Sequence, residues 1–168
     1  MKQIVIVVLL LVGCFTNAQV LCLRAGKTLL PADYASIRYT QQTNQPLQWT
    51  LGAYYERSHR NQLHYSVIGV EAMTEFLSSK DADTDQRFGL ASAIGLCWQV
   101  EREPWLYKDW SFSKRSSFGL AGEIFGDWYL TEAFTLRSFL QQKILFNHHL
   151  GRYRLVAGLG IRYRLNHY

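Results

Sequence analysis

The final stretch of the chain, Gly151–Tyr168, limits its fold more than any other. Tyr153, Leu155, Ala157, Leu159, Ile161, Tyr163 and Leu165 take alternate positions, and Arg154, Val156, Gly158, Gly160, Arg162 and Arg164 stand between them. Side chains alternate across an extended strand, so the segment predicts one strand with two chemically different faces. A Tyr stands near each end of the apolar face. Roughly ten residues at about 3.3 Å each, tilted by about 40°, set those rings about 25 Å apart along a membrane normal. That is the height of the apolar band of an outer-membrane β-barrel, with an aromatic at each interface.

The same alternation recurs upstream. Leu21, Leu23 and Ala25 oppose Cys22, Arg24 and Gly26; Ala35, Ile37 and Tyr39 oppose Ser36, Arg38 and Thr40. Leu47, Trp49, Leu51, Ala53 and Tyr55 mark a third strand, followed by the polar stretch Glu56 to Gln62 read as a loop. In the fourth, Leu63, Tyr65 and Val67 share a face before Ile68, Val70, Ala72 and Phe76 take it over. This slip predicts a β-bulge near Val67-Ile68, which would keep Glu71 and Glu75 off the apolar face. Phe88 to Val100, Phe118 to Leu130 and Phe134 to Phe146 add three more strands, with Glu101 to Ser117 as the longest connection. Eight strands predict an all-β, antiparallel, up-and-down transmembrane barrel with both ends in the periplasm. The long connection then falls outside the cell, although Ser78–Gln86 is long for a periplasmic turn.

At 168 residues the chain has room for one sizeable domain. Met1-Lys2-Gln3, the apolar run Ile4–Val12 and the small residues Thr16-Asn17-Ala18 read as a secretory signal over 1–18, cleaved between Ala18 and Gln19. Leu11-Val12-Gly13-Cys14 offers a second reading, lipoprotein processing with a lipid on Cys14. Cleavage after Ala18 leaves residues 19–168, which are expected to form the barrel. Beyond the signal there is no apolar run of helix-spanning length. The formal net charge of +5 falls to +4 without Lys2, and the basic residues are dispersed, which gives no surface for direct nucleic-acid binding.

Alternation alone also permits a soluble lipocalin-like barrel with its apolar face inward. Two features favour lipid outside. Glycines gather on the mixed polar face (Gly52, Gly89, Gly95, Gly119, Gly158, Gly160), and aromatics recur toward the ends of the other (Trp49, Trp98, Trp128, Phe146, Tyr153, Tyr163). The lumen would then hold Arg24, Arg38, Arg137, Lys143, Arg154, Arg162 and Arg164 with Glu71, Glu75, Glu123 and Asp127. Unpaired burial of these charges is costly, so they are expected to pair across a lumen too narrow for an open pore.

Cys22 and Cys97 both point inward but sit toward opposite ends of opposing strands, too far apart for a disulfide. Adjacent His148 and His149 point apart, and with His59 and His64 they lack metal-ligand spacing. No Ser, Asp and His spacing specifies a catalytic triad, so neither enzymatic activity nor a cofactor is expected. Trp105, Tyr107 and Trp110, among Lys108, Lys114 and Arg115, mark a contact loop for a partner protein or for the barrel rim and lipid.

Leu106-Tyr107, Phe118, Ala121-Gly122, Tyr129-Leu130, Gln142-Lys143 and Ala157-Gly158-Leu159-Gly160-Ile161-Arg162-Tyr163 occur in an order and spacing that resembles the TraO family of conjugative-transposon proteins. The similarity runs from Glu103 to Asn166, with Gln48-Trp49 and Tyr65-Ser66 as upstream echoes. It departs at the end, where Leu165 stands in place of an aromatic and Asn166-His167-Tyr168 runs on. The resemblance implies an outer-membrane component of a conjugation apparatus. Its partners would be outer-membrane lipid and other proteins of that apparatus, and it brings no catalytic residues to carry over.

Overall fold

The computed structural model describes residues 19–29, 32–41, 47–58, 65–77, 87–103, 113–146 and 151–165. They form eight strands: β1 (Gln19–Thr28), β2 (Asp33–Gln41), β3 (Leu47–Arg57), β4 (Ser66–Leu77), β5 (Phe88–Glu103), β6 (Ser113–Tyr129), β7 (Phe134–Phe146) and β8 (Tyr153–Arg164). Each pairs antiparallel with its sequence neighbours, and β1 closes on β8 from Val20↔Arg164 to Thr28↔Val156. Closure leaves no strand edge unpaired, which is what lets a β-structure sit in hydrocarbon. The seam is extended by Leu165 N–H donating to the Gln19 carbonyl and Leu29 N–H to that of Leu155.

The polarity of the barrel is the reverse of a soluble one. Glu123 is 3% exposed, and its neighbour Ile124 is 63% exposed. Leu23, Leu51, Ile94, Leu96, Leu120, Leu159 and Ile161 form an exposed aliphatic band on the outside. Aromatics border it at both ends. Phe88 packs on Trp128 and Phe134 on Tyr163, both with centroids 5.0 Å apart, at the end where the chain enters and leaves. Phe118 packs on Phe146 at 5.5 Å near the other, distal end. An apolar band between two aromatic girdles is the outer surface of a membrane-spanning barrel, and the lipocalin-like alternative is set aside.

The strands depart from the sequence reading in two places. No bulge occurs at Val67-Ile68: β4 runs in unbroken register with β3 from Leu47↔Phe76 to Arg57↔Ser66, and with β5 from Ser66↔Arg102 to Leu77↔Ala91. Tyr65 and Val67 are simply buried inside the barrel, while Ile68 and Val70 face out. The second departure concerns length. The sequence assigns Glu56 and the run Glu101–Ser117 to loops, but β3 continues to Arg57, β5 to Glu103, and β6 begins at Ser113. Both strands gain from a continuous ladder, from Phe88↔Trp128 to Glu103↔Ser113.

The turn after β6 is tight, as expected. Thr131 Oγ1 accepts hydrogen bonds from the N–H groups of Ala133 and Phe134, at 3.3 and 3.0 Å, which fixes Leu130–Ala133 as the link to β7. The signal and its alternatives at Cys14 and Ala18, Leu63, the four loop histidines, Ser78–Gln86 and Trp105, Tyr107 and Trp110 lie outside the described residues.

Candidate functional site

The lumen is where the sequence places its charges. Buried inside are six cations, Arg24, Arg38, Arg137, Lys143, Arg154 and Arg162, and six anions, Glu56, Glu71, Glu75, Glu101, Glu123 and Asp127. They separate into three layers along the barrel, each with two of either sign.

At the end where the chain enters and leaves, Arg137 donates from Nε to Asp127 Oδ1 at 2.7 Å and from Nη2 to Oδ2 at 2.9 Å. The same guanidinium reaches across to Glu75 Oε1 at 3.1 Å. Arg162 Nη1 donates to Asp127 Oδ2 at 2.7 Å. Thr50 donates its hydroxyl to Glu75 at 3.0 Å and touches Thr40 Oγ1 at 2.9 Å, so the carboxylate is held from several directions.

The middle layer joins five strands. Arg38 Nε donates to Glu71 Oε1 at 2.6 Å, and its Nη2 to Glu123 Oε2 at 2.7 Å. Arg24 Nη1 donates to the same Glu123 oxygen at 2.8 Å, its Nη2 to the Tyr34 hydroxyl at 2.7 Å and its Nε to Ser36 Oγ at 2.9 Å. Gln141 Nε2 donates to the second oxygen of Glu71 at 2.8 Å. Arg38 and Glu123 stand on β2 and β6, which oppose each other across an eight-strand barrel.

In the distal layer, Arg154 donates to Glu56 Oε2 at 2.8 Å and to Glu101 Oε1 at 3.0 Å, and Lys143 Nζ lies 3.3 Å from Glu56 Oε1. Tyr54 donates its hydroxyl to Gln99, which passes the chain on to Glu101, each step 2.7 Å. Glu56 and Glu101 are the two interior acids that the sequence reading misses. Arg164 is the reverse case. It lies on the inward parity of β8 but only half-buried at the mouth, and it makes no ion pair with a described residue.

Rings fill the space between the charged groups. The Arg24 guanidinium carbon lies 4.1 Å from the Phe139 centroid, that of Arg137 3.5 Å from Phe125, and Lys143 Nζ 3.2 Å from Tyr54. Desolvated contacts of this kind can be worth about 2 kcal/mol or more each, and here they also close the lumen sterically. Glycines make room for the long side chains beside them. A Cβ on Gly52 would meet Arg38 Cγ at 2.8 Å, and one on Gly69 would meet the Tyr54 ring at 2.3 Å. Each of these pairs stands directly opposite in the register. Cys22 and Cys97 are buried and unbridged. Among the described residues, no three of the His, Cys, Asp and Glu side chains converge as metal ligands.

The chain matches solved structures of small outer-membrane barrels. The N-terminal β-barrel domain of Pseudomonas aeruginosa OprF is 14% identical with a TM-score of 0.64, the match covering 89% of this chain and 98% of that one. Neisserial surface protein A is 12% identical with a TM-score of 0.65, covering 88% and 96%. The outer-membrane enzyme PagL is 8% identical with a TM-score of 0.54, covering 86% and 98%. No protein-family model and no curated protein matches the sequence. The fold is therefore that of the small Gram-negative outer-membrane β-barrels, consistent with the apolar belt on the barrel's exterior.

Proposed function

We propose that this chain is a structural and interaction barrel of the outer membrane, filled by its own side chains and without enzymatic activity. The observation that carries this reading is the lumen's three neutral layers. Among the described residues, every charged group in them is held by a partner of opposite sign and is buried, so the lumen is filled by paired side chains. A barrel built this way works through what it presents at its ends and to the lipid. Reconstitution in a planar bilayer tests it: no stepwise conductance is expected, and discrete porin-like steps would defeat the reading.

The resemblance to the TraO family supports a narrower role. In this reading the barrel serves conjugal DNA transfer, with lipid and other proteins of the conjugation apparatus as partners and Trp105, Tyr107 and Trp110 as contact residues. The supporting residues are Gln142-Lys143 and the closing Ala157–Tyr163 run. Deletion of the gene is expected to reduce conjugation frequency, and complementation to restore it. Undiminished transfer would sink the narrower role and leave the broader one standing.

A further inference from the structure

The outer surface is not uniform. A groove of about 760 Å³ crosses the lipid-facing side, and its β3–β5 part is floored by Ala53, Val70 and Ala72 and walled by Leu51, Leu96 and Trp98. Ala53 pairs with Val70 and Val70 with Trp98; Leu51 pairs with Ala72 and Ala72 with Leu96. Two small side chains on adjacent strands, beside much larger ones, open this trough in the aliphatic band. It is continuous with the apolar belt, so hydrocarbon is the medium that reaches it.

Four residues farther along β3 and β5, the same outward parity brings Arg57 and Arg102. Both are exposed, and neither makes a hydrogen bond or ion pair with a described residue. Ser66 lies between them in one row, Arg57↔Ser66↔Arg102, so two strand spacings set the arginine backbones about 10 Å apart. Asp33 continues the row beside Arg57 but is held by Lys27. Between this row and the groove stand Tyr55, Ile68 and Val100. With the chain ends in the periplasm, the row lies at the outer-leaflet headgroup level, and four residues at about 3.3 Å each lead from it to the groove.

We infer that β3, β4 and β5 form an outer-leaflet lipid site, in which Arg57 and Arg102 clasp the phosphate of a phosphorylated lipid and one of its acyl chains lies in the Ala53–Ala72 groove. Charge complementarity selects the headgroup, since guanidinium forks match phosphate oxygens. The groove selects the tail. The inference rests on the membrane orientation of the barrel and is independent of any role in conjugation.

Native mass spectrometry of the protein, released from nanodiscs of phosphatidylcholine doped with bis-phosphorylated lipid A, tests it. The wild type is expected to retain lipid A. The double variant Arg57→Gln/Arg102→Gln should lose about tenfold of that retention. Ala53→Phe/Ala72→Phe, which fills the groove from outside, should lose it comparably. Arg87→Gln, at the opposite end of β5, should retain it. Heat-modified gel mobility verifies that each variant is folded. Retention that survives both double variants, falls equally in Arg87→Gln, or is the same for dephosphorylated lipid A overturns the inference. Loss confined to the arginine variant also overturns it, because the groove would then hold nothing.

Discussion

Glu123 and Ile124 are neighbours on one strand, yet they face the two most different environments in the molecule. Glu123 is enclosed in the lumen and bonds two arginines, whereas Ile124 stands in the exposed aliphatic band. Inside, stability depends on complementarity: each charge is tolerated only because specific partners surround it. Outside, it depends on bulk chemistry, because lipid accepts almost any apolar side chain at a given depth. The lumen should therefore be sensitive to the identity of single atoms, and the outer face to polarity alone.

Unfolding by urea from lipid vesicles, followed by tryptophan fluorescence, can break or sharpen this contrast. The largest effect is expected for Glu123→Ala, which leaves Arg24 and Arg38 to share Glu71 and should cost about 3–5 kcal/mol. One residue on, Ile124→Lys should cost about 2–4 kcal/mol through its depth in the bilayer. An Ile124→Leu variant near wild type would sharpen the comparison; a loss as large as that of the Lys variant would break it. Two glycines extend the test to smaller changes. Gly52→Ala forces its Cβ to 2.8 Å from Arg38 Cγ and should cost about 1–3 kcal/mol. Gly122→Ala, whose Cβ meets nothing within 4 Å, should stay within about 0.5 kcal/mol of wild type.

The alternation of β8 is repeated closely enough that parity places Arg24, Arg38, Glu71, Glu75, Glu123, Asp127, Arg137, Lys143, Arg154 and Arg162 on one side of the sheet. What parity cannot supply is the partner. The Arg38–Glu123 bond joins residues 85 apart in sequence and depends on barrel closure. Glu56 and Glu101 escape notice because a charged residue beside other polar ones looks like a solvated loop. Their burial follows only once Lys143 and Arg154 arrive from β7 and β8. Tyr65 and Val67 mislead for the opposite reason. Apolar residues serve as markers of the lipid face in such a reading, but the distal lumen is lined partly by apolar groups, including Tyr54, Leu145 and Val156. The groove beneath Arg57 and Arg102 needs lateral register, which no single strand contains.

The neutrality of each lumen layer bears on how such a chain can change over generations. A substitution that alters one charge has few hydrogen-bonded partners to compensate it, and those lie within its own layer. Paired changes, such as an Arg and a Glu exchanging strands, can be absorbed by two or three neighbours without disturbing the other layers. Divergent descendants of this barrel should thus differ in blocks, with the residues of one layer replaced together and those of the next untouched.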